Sequence, residues 1–350
     1  MTNETNRVGF LLFHDCDPLD VTAPAAMFKC TAVQLAEDGR TSEPQPKMFY
    51  FSPDGGPVET CQGFAIDTRP TSEIRSCALG TLIVCGSYHT DQTSDPRLTE
   101  CLCQHSGSIP RIAGVCTGAF VLGRAGLLDG RRAVTHWLDC DALERDFPAA
   151  EVDRDGIFID DGGIWTAAGA TASIDMTLAM IEQDYGHDLA QKVAARMVVF
   201  LRRPGGHAQV SMALRSQDAE GAIGELLKWI AANPHADLRA ETLAERACMS
   251  LRNFYRAFEE ATGSSPANWV EAMRLEVAKR LLEQTGEYAE QVAVKAGFTN
   301  YERMRRTFVK RVGASPLAYR VGHPRPADHA APFHLVHGPS AADGGAIAAA

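Results

Sequence analysis

No apolar run in the 350 residues approaches the length that crosses a bilayer. The opening Met-Thr-Asn-Glu-Thr-Asn has neither the basic start nor the apolar stretch of an export signal, so a cytoplasmic protein without membrane attachment is expected. The ten cysteines therefore read as reduced thiols and not as a disulfide framework. Cys101-x-Cys103 lacks the spacing of a zinc site, and no second Cys/His pair accompanies it, so neither a metal nor another cofactor is expected. An overall excess of basic charge is missing too, since the formal net charge is −10. That figure hides an asymmetry. Residues 1–220 carry 18 Lys and Arg against 30 Asp and Glu, whereas residues 221–320 carry 15 against 12. A mildly basic module joined to an acidic one suits a DNA reader with a separate sensor.

What is present supports two domains with real cores, at 45% hydrophobic residues. In the first half, apolar runs at Arg7–Phe13, Met48–Phe51, Leu79–Cys85 and Arg111–Val115 alternate with helical stretches near 21–36, 117–125 and 174–185. A short strand is expected at 65–67, a strand running into a turn at 165–169, and a turn at Pro53-Asp54-Gly55-Gly56-Pro57. Strands alternating with helices predict an α/β fold with a mostly parallel sheet. A polar, Gly-containing stretch from Gly205 to Gly221 marks the join. The expected boundaries are a domain at 1–210, a linker at 211–224, a second domain at 225–322 and a disordered tail at 323–350.

The sharpest chemistry lies in Gly114-Val115-Cys116-Thr117-Gly118-Ala119, where an apolar strand meets a small-residue helix start. This pattern suits a nucleophile elbow, and a helix N-terminus favours a thiolate at Cys116. The N–H groups of Thr117 and Ser87 are candidates for an oxyanion hole, His136 for a base and Asp20 for a nearby acid. Trp137 is a candidate to stack on a cationic ligand. Each of these also has a plainer reading, foremost Cys116 as a small buried hydrophobe. Redox sensing through Cys116 needs an exposed, low-pKa thiol with a resolving partner, and the sequence identifies none.

In the second half one pattern is written twice. Leu243-Ala244-x-x-Ala247-Cys248-Met249-Ser250 returns 49 residues on as Val292-Ala293-x-x-Ala296-Gly297-Phe298-Thr299. Past the turn the displacement is 50, so Arg256 answers to Arg306, Phe258 to Phe308, Ser265-Pro266 to Ser315-Pro316 and Trp269 to Tyr319. Each copy reads as a short apolar helix, a turn with a Ser or Thr suited to N-capping, and an amphipathic helix: two helix-turn-helix units, an all-α domain. Phe254, Phe258 and Ala261 make the first apolar stripe; Tyr301, Met304 and Phe308 make the second. Off those stripes lie Arg252, Asn253 and Arg256, then Asn300, Arg303 and Arg306, side chains of the kind that read bases or phosphates in a major groove.

The run from Met249 to Phe258 with Gly263-Ser264-Ser265-Pro266, and that from Ala296-Gly297-Phe298-Thr299 to Pro316-Leu317-Ala318-Tyr319-Arg320, resemble the two halves of the DNA-binding domain of AraC/XylS-type transcription regulators. The resemblance implies a linking helix from Pro266 to about Gln284, two recognition helices on one face of an operator duplex, and contact with RNA polymerase. Residues 7–205 resemble the amidase-like, PfpI-type branch of the class I glutamine amidotransferase superfamily. Pro18-Leu19-Asp20, Cys85-Gly86-Ser87, the Cys116 elbow, Thr135-His136-Trp137 and Ala168-Gly169-Ala170-Thr171 carry that likeness. It implies a flavodoxin-like sandwich with a pocket over Cys116. Thr117 stands where several branches have His, and the Asp-Cys-Thr set looks more like isonitrile-hydratase-type members. The fusion resembles regulators that sense small nitrogenous metabolites such as amino acids or betaines. A ligand-controlled regulator is thus the first reading, and a hydratase- or amidase-type enzyme carrying a DNA-binding module the second. Dimerisation is implied by both resemblances.

Overall fold

The computed structural model describes residues 6–199, 205, 209, 221–312 and 314–322. Two compact units divide the chain, 1–211 and 212–350.

The first unit is built on an eight-stranded sheet. Strands β1 (Arg7–Leu11), β2 (Lys47–Ser52), β3 (Asp54–Glu59), β4 (Ala65–Pro70), β5 (Thr81–Val84), β6 (Arg111–Val115), β9 (Phe158–Asp161) and β10 (Ile164–Ala167) lie in the order β3-β4-β2-β1-β5-β6-β10-β9, while β7 (Arg132–Ala133) and β8 (Glu151–Val152) pair apart from it. From β4 to β10 all pairings are parallel, and antiparallel partners close both edges. Central strands buried on both faces must be continuously apolar, which explains the unbroken hydrophobic runs in β1, β5 and β6. Helices α1 (Leu19–Glu37), α6 (Ala172–Tyr185) and α7 (His187–Arg196) pack together. Helix α3 (Pro96–His105) packs on α4 (Gly118–Arg124), and α4 on β6; α2 (Ile74–Cys77) and α5 (Cys140–Asp146) are short. The mostly parallel α/β fold is the one expected.

One local expectation fails. The stretch 53–57 is not a simple turn, because β3 begins at Asp54 and pairs with β4 through Glu59. Gly55 and Gly56 bend it with φ of +75° and +80°, and Pro57 is tolerated because the strand lies at the sheet edge.

The second unit is helical: α8 (Gly221–Ala232), α9 (Ala240–Arg246), α10 (Leu251–Thr262), α11 (Pro266–Gln284), α12 (Ala289–Lys295), α13 (Tyr301–Val312) and α14 (Pro316–Gly322). Helix α8 starts inside the span expected as linker. The remainder of that span and the tail after 322 lie outside the described residues. Helices α9 and α10 form the first helix-turn-helix, α12 and α13 the second, and α11 has the bounds expected of the linking helix. Each unit has its own apolar cluster, one around Phe254, Phe258 and Trp269, the other around Met304, Phe308 and Tyr319. Ala261, expected in the first stripe, is exposed, since only Phe254 and Phe258 of that stripe reach the cluster. Ser250 caps α10 by accepting from Asn253 N, as expected of a turn serine; in the second unit Asn300, not Thr299, accepts from the Arg303 N–H at 2.9 Å.

Candidate functional site

Strand β6 ends at Val115 and helix α4 begins at Gly118, so Cys116 is the hinge of the turn. Its φ of +54° places a non-glycine residue in the left-handed region, the strained backbone of a nucleophile elbow. Its N–H donates to Ala167 O at 2.9 Å. Two glycines make room for it. A Cβ on Gly86 would fall 2.7 Å from Cys116 Cβ, and one on Gly169 would fall 2.9 Å from Cys116 Sγ.

Asp20, in the first turn of α1, is fully buried against this turn. Its Oδ2 accepts from Gly86 N at 2.9 Å and its Oδ1 from Ala170 N at 3.1 Å. One carboxyl thus ties the loops after β5 and β10 to α1, beside the very residues that flank the thiol. Burial, with Asp17 adding to it, raises the Asp20 pKa from 3.8 to about 7.

Two expectations about the elbow need correcting. The Ser87 N–H does not point into an empty oxyanion hole, because it donates to Thr117 Oγ1 at 2.8 Å while the Thr117 hydroxyl donates to Ser87 O at 3.0 Å. Both residues are buried, so a hydroxyl of the chain itself fills that position. Nor does the helix start produce a thiolate. Burial pushes the Cys116 thiol well above the usual range, the Asp20, Asp139 and Asp17 charges push it the same way, and the Thr117 N–H opposes them. The local dipole is outweighed because α4 is a short helix opening onto a buried, acidic surrounding.

His136 is half-buried, which lowers its pKa, and its Nδ1 accepts from Leu138 N at 3.4 Å inside its own turn. Trp137, 50% exposed, and Tyr88, 71% exposed, keep aromatic surface towards solvent. The Tyr88 phenol feels Asp17 most strongly, then burial, Cys61, Asp20 and Cys116, all raising its pKa.

Sequence reasoning missed how Thr135 and Gln209 enter. Thr135 Oγ1 donates to Cys116 O at 2.9 Å, and Gln209 Nε2 donates to Thr135 O at 2.9 Å. A buried Thr beside His136 was the available signal for the first. Gln209 lies 93 positions from Cys116, with no periodic pattern around it to flag it.

In the helical unit, Arg252, Asn253 and Arg256 are all exposed on α10, and Arg256 Nη2 donates to Asn253 Oδ1 at 3.1 Å. Arg303 and Arg306 are exposed on α13, with Arg306 Nε 3.9 Å from Glu302 Oε1. The Asn300 side chain is engaged as the α13 cap, so it positions that helix instead of offering its carbonyl oxygen outward. Among the described residues, no group of His, Cys, Asp and Glu could hold a metal ion, and no helix is long and apolar enough to cross a membrane.

Comparison with known proteins places these two surfaces in context. A family model described as the DJ-1/PfpI family matches residues 6–183, and one described as a helix-turn-helix domain matches 243–321. The HTH-type transcriptional regulator CdhR of Pseudomonas aeruginosa is 31% identical over 288 residues, covering 82% of this chain and 85% of its own. The HTH-type transcriptional regulator GlxA of Rhizobium meliloti is 29% identical, covering 91% of this chain and 97% of its own. An isonitrile hydratase of Pseudomonas putida is 30% identical over 193 residues, covering 55% of this chain and 77% of its own.

Proposed function

The chain belongs to the AraC-type, DNA-binding transcription regulators that carry an N-terminal DJ-1/PfpI domain, and from that premise we propose that this domain is a sensor for a small nitrogenous metabolite. The ligand sits over Cys116, bounded by Asp20, Ser87, Thr117, His136 and Trp137, and its presence changes how the helix-turn-helix units engage an operator. Amino acids and betaines are the classes that match aromatic surface beside carboxylates. The protein acts in the cytoplasm as a homodimer and communicates with RNA polymerase.

One observation carries the choice of sensor over enzyme. Thr117 Oγ1 occupies the Ser87 N–H, so an acyl-transfer oxyanion finds one of its two expected donors taken. The raised Cys116 pKa points the same way, because an un-ionised thiol is a poor nucleophile. The second reading rests on the isonitrile hydratase relative and on Asp20, Cys116 and Thr117 meeting at one site.

The experiment is a thermal-shift screen of the full chain against amino acids, betaines, polyamines, small amides and an isonitrile, followed by product analysis of every hit. A stabilising compound recovered unchanged supports the sensor. Consumption that stops in Cys116→Ala replaces it with the enzyme reading.

A further inference from the structure

The two helix-turn-helix units differ at one equivalent position, and the difference locates the contact between them. Cys248 and Gly297 occupy the same place in the repeat, and both hold left-handed backbone, with φ of +54° and +83°. Cys248 is exposed, so the first turn has room for a side chain. Gly297 has none. A Cβ there would stand 1.9 Å from Pro234 O and 2.8 Å from Arg274 Nε. The turn of the second unit is therefore pressed onto the 233–239 loop that leads into the first.

Arg274 of α11 holds that junction. Its Nε donates to Pro234 O at 3.1 Å and its Nη2 to Ala236 O at 3.3 Å. Burial and the nearby Arg303 disfavour its charge and Asp237 favours it, while the two loop carbonyls accept from the guanidinium where it is seated. Beside the junction an open groove of about 770 Å³ is lined by Tyr255 of the first recognition helix and by Thr299 and Arg303 of the second unit. A second strut, Arg311 to Glu271 at 3.0 Å, ties α13 to α11. Helix α11 packs on both units, through Trp269, Val270 and Met273 in the first cluster and Leu275, Ala278 and Leu282 in the second. The Arg274 clamp adds a polar tie at the point where the turn of the second unit meets the loop leading into the first.

We infer that Arg274, seated against Gly297 and Pro234, is a positioning residue that fixes the mutual orientation of the two recognition helices and thereby the spacing of the two DNA segments the protein accepts. Two helices reading one face of a duplex must meet grooves about 34 Å apart, so a rotation at this junction misplaces one of them. Without the guanidinium, the loop and the Gly297 turn slide past each other and the second helix samples several registers.

The test uses the full chain and duplexes that it selects from a random-sequence library. The best duplex is remade with one or two base pairs inserted or removed between its two protected segments, and affinity is measured for each. The wild-type protein is expected to lose affinity on the order of tenfold with one inserted pair, since one of its two contacts becomes out of phase. Arg274→Ala should bind the original duplex more weakly yet lose under about threefold on insertion, because the second helix is no longer held in register. Gly297→Ala should compress the ratio in the same way, and Arg274→Lys, which keeps the charge and one donor nitrogen, should compress it less. Should Arg274→Ala not fold, Gly297→Ala and Arg274→Lys decide by the same ratio. A uniform loss across all spacings, with the wild-type ratio intact, overturns the proposal, as does a wild-type protein indifferent to spacing.

Discussion

Ser87 and Thr117 hold each other by two hydrogen bonds, the Ser87 N–H to Thr117 Oγ1 at 2.8 Å and the Thr117 hydroxyl to Ser87 O at 3.0 Å. The pair joins the loop after β5 to the turn after β6, next to Cys116. Thr117→Val keeps the shape and removes both bonds, leaving a buried donor and acceptor unsatisfied. The expected loss is about 1–3 kcal/mol, and Thr117→Ser should recover most of it. Calorimetry of the full chain reads this as a lower first-unit transition, by roughly 2–4 °C per kcal/mol. An unchanged transition would mean that the pair contributes nothing.

Asp20 makes the first unit sensitive to pH. Unfolded, its carboxyl loses its proton near 3.8; folded, near 7. Below about 4 both states are protonated and the group contributes no difference. Between about 4 and 7 the unfolded state is ionised while the folded state still holds the proton, so stability falls as pH rises. Above 7 the penalty is constant, on the order of a few kcal/mol. Asp20→Asn should flatten that part of the urea-midpoint profile between pH 4 and 7, whatever it does to absolute stability. A variant with the full wild-type slope would place the titration elsewhere.

The raised Cys116 pKa has its own consequence. Iodoacetamide at pH 7.5 should modify the exposed Cys103 and Cys248 well before Cys116. In Asp20→Asn one charge that suppresses the thiolate is gone, so Cys116 labelling should accelerate relative to Cys103. Peptide mass spectrometry of the full chain gives both rates. Cys116 reacting first in the wild-type protein would restore the nucleophile reading.

Much of the fold is legible because the repeat and the buried strands write long-range order as local pattern. Phe254 and Phe258 answer Met304 and Phe308 in the same places, and β1, β5 and β6 are apolar beyond their first residues. The elbow is legible in the small residues around Cys116. The electrostatics are not. Whether a helix N-terminus or burial governs that thiol depends on Asp20, Asp139 and Asp17 arriving from distant segments, and no spacing in the chain encodes that meeting. Nor does it reveal that a threonine next to the nucleophile turns its hydroxyl onto Ser87, or that Asn300 is consumed as a cap.

Gln209 offers a route from site to linker. It donates to Thr135 O, and Thr135 donates to Cys116 O, so two hydrogen bonds separate the end of the first unit from the elbow. Gln209→Ala should leave the affinity for a stabilising ligand within about twofold and reduce the change that ligand makes in DNA affinity. Titration of labelled duplex with and without ligand measures it. An undiminished ligand effect in the variant removes Gln209 from the path.

Arg256 and Asn253 should act on DNA as one unit, and Arg306 as another. The Arg256 guanidinium donates to Asn253 Oδ1, an arrangement that fixes the direction of the fork before any base arrives. Arg256→Ala should weaken operator binding by about 1–3 kcal/mol, roughly 5- to 150-fold. Asn253→Ala should cost less, and the double variant less than the sum, because the asparagine acts partly through the arginine. Arg306→Ala should cost a similar amount and add to Arg256→Ala, since the two sit on recognition helices of separate units with separate cores. Fluorescence anisotropy on a selected duplex gives the wild-type affinity and those of the three single and two double variants. Strict additivity of the Asn253 and Arg256 losses would mean that the pair separates on DNA, and strong coupling of Arg256 to Arg306 would mean that the two units do not read their segments independently.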